Sequence, residues 1–178
     1  MILDEGMDTG PILASENVHL DDDETYSSLE NKIIKIGTEL LCGTLKKHFF
    51  GKTKPLPQNE KFATLTRMLN REDGHVDWNE TVSQIERKQR AFEIWPGLWS
   101  FWLKNNGTKI RIKFISIQIS NIRAELKNGE VFVENGKMYV RASDGCFEIL
   151  KLQPENRPVM EAKNFLAGHD DIAGSILI

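Results

Sequence analysis

The sequence predicts an α+β protein in two parts, a helical front and a β-rich rear that closes into a small barrel. Three observations carry this. Apolar residues recur at helical spacing from about Thr25 to Phe50, residues 52–60 hold Pro55 and Pro57 in a turn-rich break, and short alternating runs separated by Gly and Asn follow Pro96-Gly97. A chain of 178 residues suits one medium domain or a small domain with an appendage. With 40% apolar and 28% charged residues it reads as soluble and globular, and the lack of an apolar run of about 18 residues predicts no membrane span.

In the front part, Pro11–Leu20 reads as a strand that follows an Asp-Thr-Gly turn. Asp21-Asp-Asp-Glu-Thr25 then offers capping groups and negative charge to a helix N-terminus. Leu29, Ile33, Ile36, Leu40, Leu41, Leu45 and Phe49 form one apolar face of the helix that follows, predicted to be buried. Gly51 ends it, and Lys46, Lys47 and His48 suit its negative pole. Residues 61–79 read as an irregular linker, and Asn79 as the cap of a short helix from Glu80 to about Phe92, with Val82, Ile85 and Phe92 apolar.

The rear is predicted to be strands. Leu98–Lys104 leads through Asn105-Asn106-Gly107 into Lys109–Ile119. There Ile110, Ile112, Phe114, Ile117 and Ile119 approach alternation with Lys, Arg and Gln, giving one buried and one basic or polar face, with Ile115 out of phase. Val131–Glu134, Asn135-Gly136 and Lys137–Ala142 read as a hairpin on a type I′ turn. Ser143-Asp144-Gly145 introduces Cys146–Gln153, and Met160–Leu166 suits a short helix. Many short strands with turns favour a small barrel over a parallel sheet.

Charge divides the chain as sharply as periodicity does. Residues 1–31 contain nine acids and no Lys or Arg, whereas residues 104–123 contain five bases and no acid. A basic strand face is compatible with a phosphate backbone and equally with an ordinary solvated surface. The acidic N-terminus argues against a signal peptide, and Cys42 and Cys146, without CxxC spacing, read as reduced thiols, so a cytoplasmic setting is expected. His48, His75 and His169 lack metal-ligand spacing, so no metal site is expected.

The opening residues Asp4-Glu5-Gly6-Met7-Asp8-Thr9-Gly10 resemble the Asp-x-Gly-Leu-Asp-Thr-Gly loop of the folate-dependent formyltransferases. Further matches follow in that family's order: Pro57-Gln58, Arg71–Trp78, Arg90–Gly97, Leu152-Gln-Pro154 and Phe165-Leu-Ala-Gly168. The set spans almost the whole chain and is most similar to the branch acting on methionyl-tRNA. The resemblance implies that residues 1–55 are the end of a formyltransferase catalytic domain, 56–79 a linker and 80–178 an OB-like, tRNA-binding barrel. It also implies transfer of a formyl group from 10-formyltetrahydrofolate to the amine of initiator methionyl-tRNA in translation initiation.

In that family an Asn and a His stabilise the oxyanion, and an Asp orients the His. Asp8 matches the Asp. The Asn-x-His-x-Ser-Leu-Leu-Pro motif of the other two does not occur in residues 1–178, since Asn17-Val18-His19 continues Leu-Asp-Asp and follows the Asp loop instead of preceding it. Preorganised oxyanion donors supply several kcal/mol, so residues 1–178 alone are expected to have little turnover, and a separately encoded N-terminal half is one of the open sources of the other two residues, beside loss of that half and its omission from the sequence.

Arg67, Arg71, Arg90, Lys109, Arg111 and Lys113 are the expected tRNA-binding residues, with Arg90 suited either to phosphate or to bridging domains. Trp78, Trp95, Trp99 and Trp102 suit core packing or base stacking. Two alternatives stay open, a sugar-nucleotide formyltransferase fragment and a non-catalytic tRNA- or RNA-binding module left by truncation.

Overall fold

Thr25 and Ser28 start the longest element, α1 (Tyr26–Phe49), by a reciprocal exchange in which Ser28 N donates to Thr25 Oγ1 (3.2 Å) and Thr25 N to Ser28 Oγ (3.0 Å). Glu24 accepts from the Ser28 hydroxyl and pairs with Lys32, which also reaches Asp21 at 2.6 Å. At the far end Gly51 takes φ 65°; its N–H reaches His48 O (2.9 Å) and that of Lys52 reaches Lys47 O (2.9 Å), a Schellman termination. The computed structural model describes residues 1–178 and divides into two compact units, Met1–Met68 and Leu69–Ile178. No helix is long and apolar enough to cross a membrane.

Two expectations for the first unit fail. Pro11–Leu20 forms no strand: beyond a single bridge, Ile12 to Leu56, its backbone gains only the hydrogen bond from Ile2 N to Pro11 O (2.9 Å), too little to build a ladder. The apolar stripe of α1 is not buried either, with Leu41 58% and Phe49 86% exposed and no fully buried residue in the helix. The periodicity was sufficient for the helix, but burial needs a second surface. Within the unit a shallow hollow of about 270 Å³ forms where Leu40, Leu41 and Leu45 meet Met1 and Leu13.

In the second unit Thr81, not Asn79, caps α2 (Val82–Ala91): Gln84 N donates to Thr81 Oγ1 (3.2 Å) and Thr81 N to Gln84 Oε1 (2.9 Å). Asn79 instead donates to Asp77 Oδ1 from its backbone (3.0 Å) and side chain (2.8 Å). A Thr-x-x-Gln box satisfies two helix-end groups together, which a lone Asn does not.

The strands are β1 (Leu98–Leu103), β2 (Lys109–Ser120), β3 (Val131–Glu134), β4 (Lys137–Arg141), β5 (Cys146–Pro154) and β6 (Met160–Glu161). They form a curled antiparallel sheet in the order β1-β2-β5-β4-β3, with β6 also on β5. Asn135 (φ 52°) and Gly136 (φ 74°) make the β3–β4 turn with both central residues left-handed, as a type I′ turn requires. A register shift around Ser116 resets the phase of β2, so Ile115 has no partner on β5 and Ile117 opposes Ile149 and packs against the core. The segment expected as one helix is β6 followed by α3 (Ala162–Leu166).

Residues 174–178 bridge the two edges of the sheet. Phe101 of β1 exchanges hydrogen bonds with Ile178 (2.6 and 2.9 Å), while Val131 of β3 donates to Ser175 O (2.9 Å) and accepts from Gly174 N (2.8 Å). Inside lie Leu98, Trp102, Ile112, Phe114, Phe147, Leu152, Phe165 and Leu177, each at most 2% exposed. Burial of side chains of this size is worth about 1.5–3 kcal/mol apiece. Val76 and Trp78, from the stretch read as a linker, join this core, because Val76 N donates to Trp99 O at 2.9 Å and brings the chain alongside β1.

Candidate nucleic-acid interface

The Asp8 loop is held by three side chains and by its own glycines. Asp4 Oδ1 accepts from Gly6 N (3.1 Å) and Thr9 Oγ1 (2.6 Å), and Gln58 Nε2 donates to Asp8 O (2.8 Å) and Gly10 O (2.7 Å). A Cβ on Gly10 would lie 1.7 Å from Ile2 O, so only glycine lets the two passes of the chain approach. Asp8 itself sits at φ 57°, in the left-handed region that short polar side chains tolerate, and is exposed. The loop presents a carboxylate on a fixed backbone. No histidine or asparagine side chain is hydrogen-bonded to it.

The second unit carries the larger constellation. Alternation along β2 puts Lys109, Arg111 and Lys113 on the outer face, and antiparallel pairing sets them opposite Leu103, Phe101 and Trp99 of β1. Cations therefore interleave with aromatic rings, and Lys109 Nζ lies 3.7 Å from the centre of the Phe101 ring. Arg71, Arg111 and Lys113 converge on a groove of about 280 Å³ with Trp95 and Trp99. Trp99 Nε1 donates to Arg71 O (2.9 Å), which ties the Arg71 backbone to the sheet.

The opposite wall of the groove is the turn after β5. There Gln153 Nε2 donates to Arg157 O (3.0 Å), Glu155 N donates to Arg111 O (2.8 Å), and Asn156 takes φ 59°. Glu155 Oε1 stands 3.7 Å from Arg111 Nη2 with both side chains partly exposed, a pair worth at most about 1 kcal/mol. Lys113 crosses Gly97 so closely that a Cβ there would meet its Cε at 2.2 Å, so the Pro96-Gly97 turn makes room for the ammonium.

Three of the expected RNA-binding residues are thus brought together and three are not. Lys109 lies beyond the 154–157 turn, in a second cavity of about 620 Å³ with Lys104, Arg157 and His169. Arg90 is on α2, where its Nε donates to Glu86 Oε1 at 2.7 Å, a contact that directs it along its own helix. Arg67 belongs to the first unit, with Nη1 on Met68 O at 3.1 Å.

The tryptophans divide as well. Trp78, Trp99 and Trp102 are buried, with Nε1 donating to Ser100 Oγ (3.2 Å), Arg71 O (2.9 Å) and Ser175 Oγ (3.1 Å). Trp95 is 52% exposed and makes no hydrogen bond within the chain. Sequence reasoning missed Gln153, Glu155 and Asn156 because nothing local marks a turn as the wall of a groove formed with a strand forty residues away.

Residues 68–170, more than half of the chain, match the family described as formyl transferase, C-terminal domain. The methionyl-tRNA formyltransferase of Chloroflexus aurantiacus is 34% identical over 170 residues, covering 94% of this chain and 53% of that protein. That of Myxococcus xanthus is 32% identical over 177 residues, covering 98% and 54%. The chain spans about half the length of the curated relatives it matches. HypX from Aquifex aeolicus, solved in complex with tetrahydrofolic acid, shares the fold at TM-score 0.66 and 19% identity, over 92% of this chain and 28% of its own. The chain belongs to the formyl transferase family, and residues 68–170 are its C-terminal domain.

Proposed function

We propose that the chain is the C-terminal part of a methionyl-tRNA formyltransferase, in which Leu69–Ile178 is an OB-like module that holds initiator methionyl-tRNA. The convergence of Arg71, Arg111 and Lys113 on one aromatic-walled groove carries this reading, because phosphate binding needs clustered cations and relatives of this chain bear that enzyme's name. Met1–Met68 is read as the end of the catalytic domain. The uncovered stripe of α1 supports this, since an apolar face of that size is ordinarily covered by further structure.

The reaction would move a formyl group from 10-formyltetrahydrofolate to the methionyl amine. Residues 1–178 would contribute one acid to it, Asp8, on a loop whose backbone Gln58 and Asp4 immobilise. The folate pocket and the oxyanion donors would come from an N-terminal half. The RNA-binding part is tested by titrating the 178-residue chain with initiator tRNA at several salt concentrations. Binding should weaken steeply with salt, and Arg71→Ala and Lys113→Ala should each lower the slope of log K against log salt by about 1. Absence of tRNA binding, or binding indifferent to salt, would overturn it. Formyl transfer that depends on Asp8 in residues 1–178 alone would overturn the division of catalytic labour.

A further inference from the structure

We infer that the groove between Trp95 and the 154–157 turn is a pocket for one unpaired nucleotide, with the base stacked on Trp95 and its phosphate on Lys113, Arg71 and Arg111. The inference rests on the tRNA reading above and narrows it from RNA in general to a single-stranded residue.

The first observation is the contrast among the four tryptophans. Three are buried with their indole N–H groups bonded inside the chain, and each has an evident packing role. Trp95 does neither, yet it lines a concave cavity instead of standing on a convex surface. An indole half in water with an unbonded N–H offers a stacking face and a donor together. Base stacking of this kind is worth about 1–3 kcal/mol.

The second is charge placement. Three cations share the cavity with Trp95, so a phosphate held by them leaves its base within reach of the indole. A duplex cannot use this arrangement: its bases are stacked on one another, and the deep major groove of A-form RNA admits no side chain. A convex basic strand would suffice for a duplex backbone, whereas a hollow with one aromatic wall fits a base turned out.

The third is Glu155, an acid inside a basic groove. Its carboxylate stands where an RNA phosphate would approach Arg111. At 3.7 Å and partly in water the pair is weak enough to exchange, so Arg111 can release Glu155 for a phosphate. The wall itself does not have to move, since Gln153 and the Glu155 backbone fix the turn. Glu155 thereby lowers affinity for phosphate alone and leaves occupancy dependent on the stacked base, a repulsive contribution to specificity.

The test uses the 178-residue chain with two fluorescent probes, a short single-stranded RNA and a blunt RNA duplex of the same length. Trp95→Ala should weaken the single strand at least about fivefold, Trp95→Phe should restore most of that, and neither should move the duplex by more than about twofold. Glu155→Gln should tighten both probes and steepen the salt dependence. Unchanged single-strand affinity in Trp95→Ala, with salt-dependent duplex binding intact, overturns the pocket and leaves the electrostatic reading standing. Failure of every RNA to bind overturns both.

Discussion

Replacing Gly97 by alanine separates backbone strain from the seating of Lys113. Gly97 has φ 72°, where an L-residue costs about 1–2 kcal/mol, and the restricted unfolded chain offsets about 0.4–1 kcal/mol of that. The added methyl would also meet Lys113 Cε at 2.2 Å and Nζ at 2.7 Å, so the lysine end must swing away. Gly107 is the internal standard, with φ 83° and nothing within 4 Å of an added Cβ. Gly107→Ala therefore carries the backbone strain alone, and the net loss expected for it is about 1 kcal/mol. Gly97→Ala should lose that and the Lys113 packing, and should also lower RNA affinity several-fold, with a salt slope shallower by about 1. Urea unfolding followed by tryptophan fluorescence measures the stability, since all four tryptophans lie in Leu69–Ile178. In a Lys113→Ala background the difference between the two glycine variants should vanish. If Gly97→Ala matches Gly107→Ala in both stability and RNA binding with Lys113 present, the proposed seat of Lys113 is wrong.

Three other outcomes follow from contacts elsewhere. Thr81→Ala should destabilise the second unit by about 1 kcal/mol in urea, with Thr81→Ser close to the parent, because the hydroxyl caps α2. Ser175→Ala removes the acceptor of the Trp102 N–H in a ring that is 0% exposed, and should cost about 1–3 kcal/mol by the same assay. Glu24 has its pKa lowered from 4.5 to about 2, first by its hydrogen bond with Lys32 and then by that from Ser28. A folded value below the unfolded one means that its support of α1 is present above about pH 4.5 and disappears as pH falls towards 2. Helicity at 222 nm should fall through that window, and Glu24→Gln should flatten that part of the curve while starting lower at pH 7.

Local signals were legible wherever local chemistry decides. Asn135-Gly136 announces its turn because two successive left-handed residues admit little else, and the alternation of Lys109, Arg111 and Lys113 places them on one face. Trp78 suits the core place it takes, but the stretch 69–79 reads as a linker because nothing around Val76 reveals the edge of β1 beside it. Periodicity in α1 announced a helix but said nothing of a covering surface. The groove was half legible. Arg111 and Lys113 are periodic on one strand, whereas Arg71, Trp95, Glu155 and Asn156 enter it only through contacts between distant segments. The four tryptophans were indistinguishable by type, and only their burial and hydrogen bonds separate Trp95 from the others.

The bridge formed by residues 174–178 sets a timetable for the protein during its own synthesis. β1 and β3 are made early, yet the backbone groups that Phe101 and Val131 offer find their partners only when Ser175 and Ile178 have left the ribosome. Until then a nascent chain carries two open strand edges, the form in which β structure is most prone to pair with a neighbour. Closing the sheet at this edge joins Phe101 to Ile178 across seventy-seven residues, a non-local contact whose loop-closure entropy has to be met before its hydrogen bonds can form.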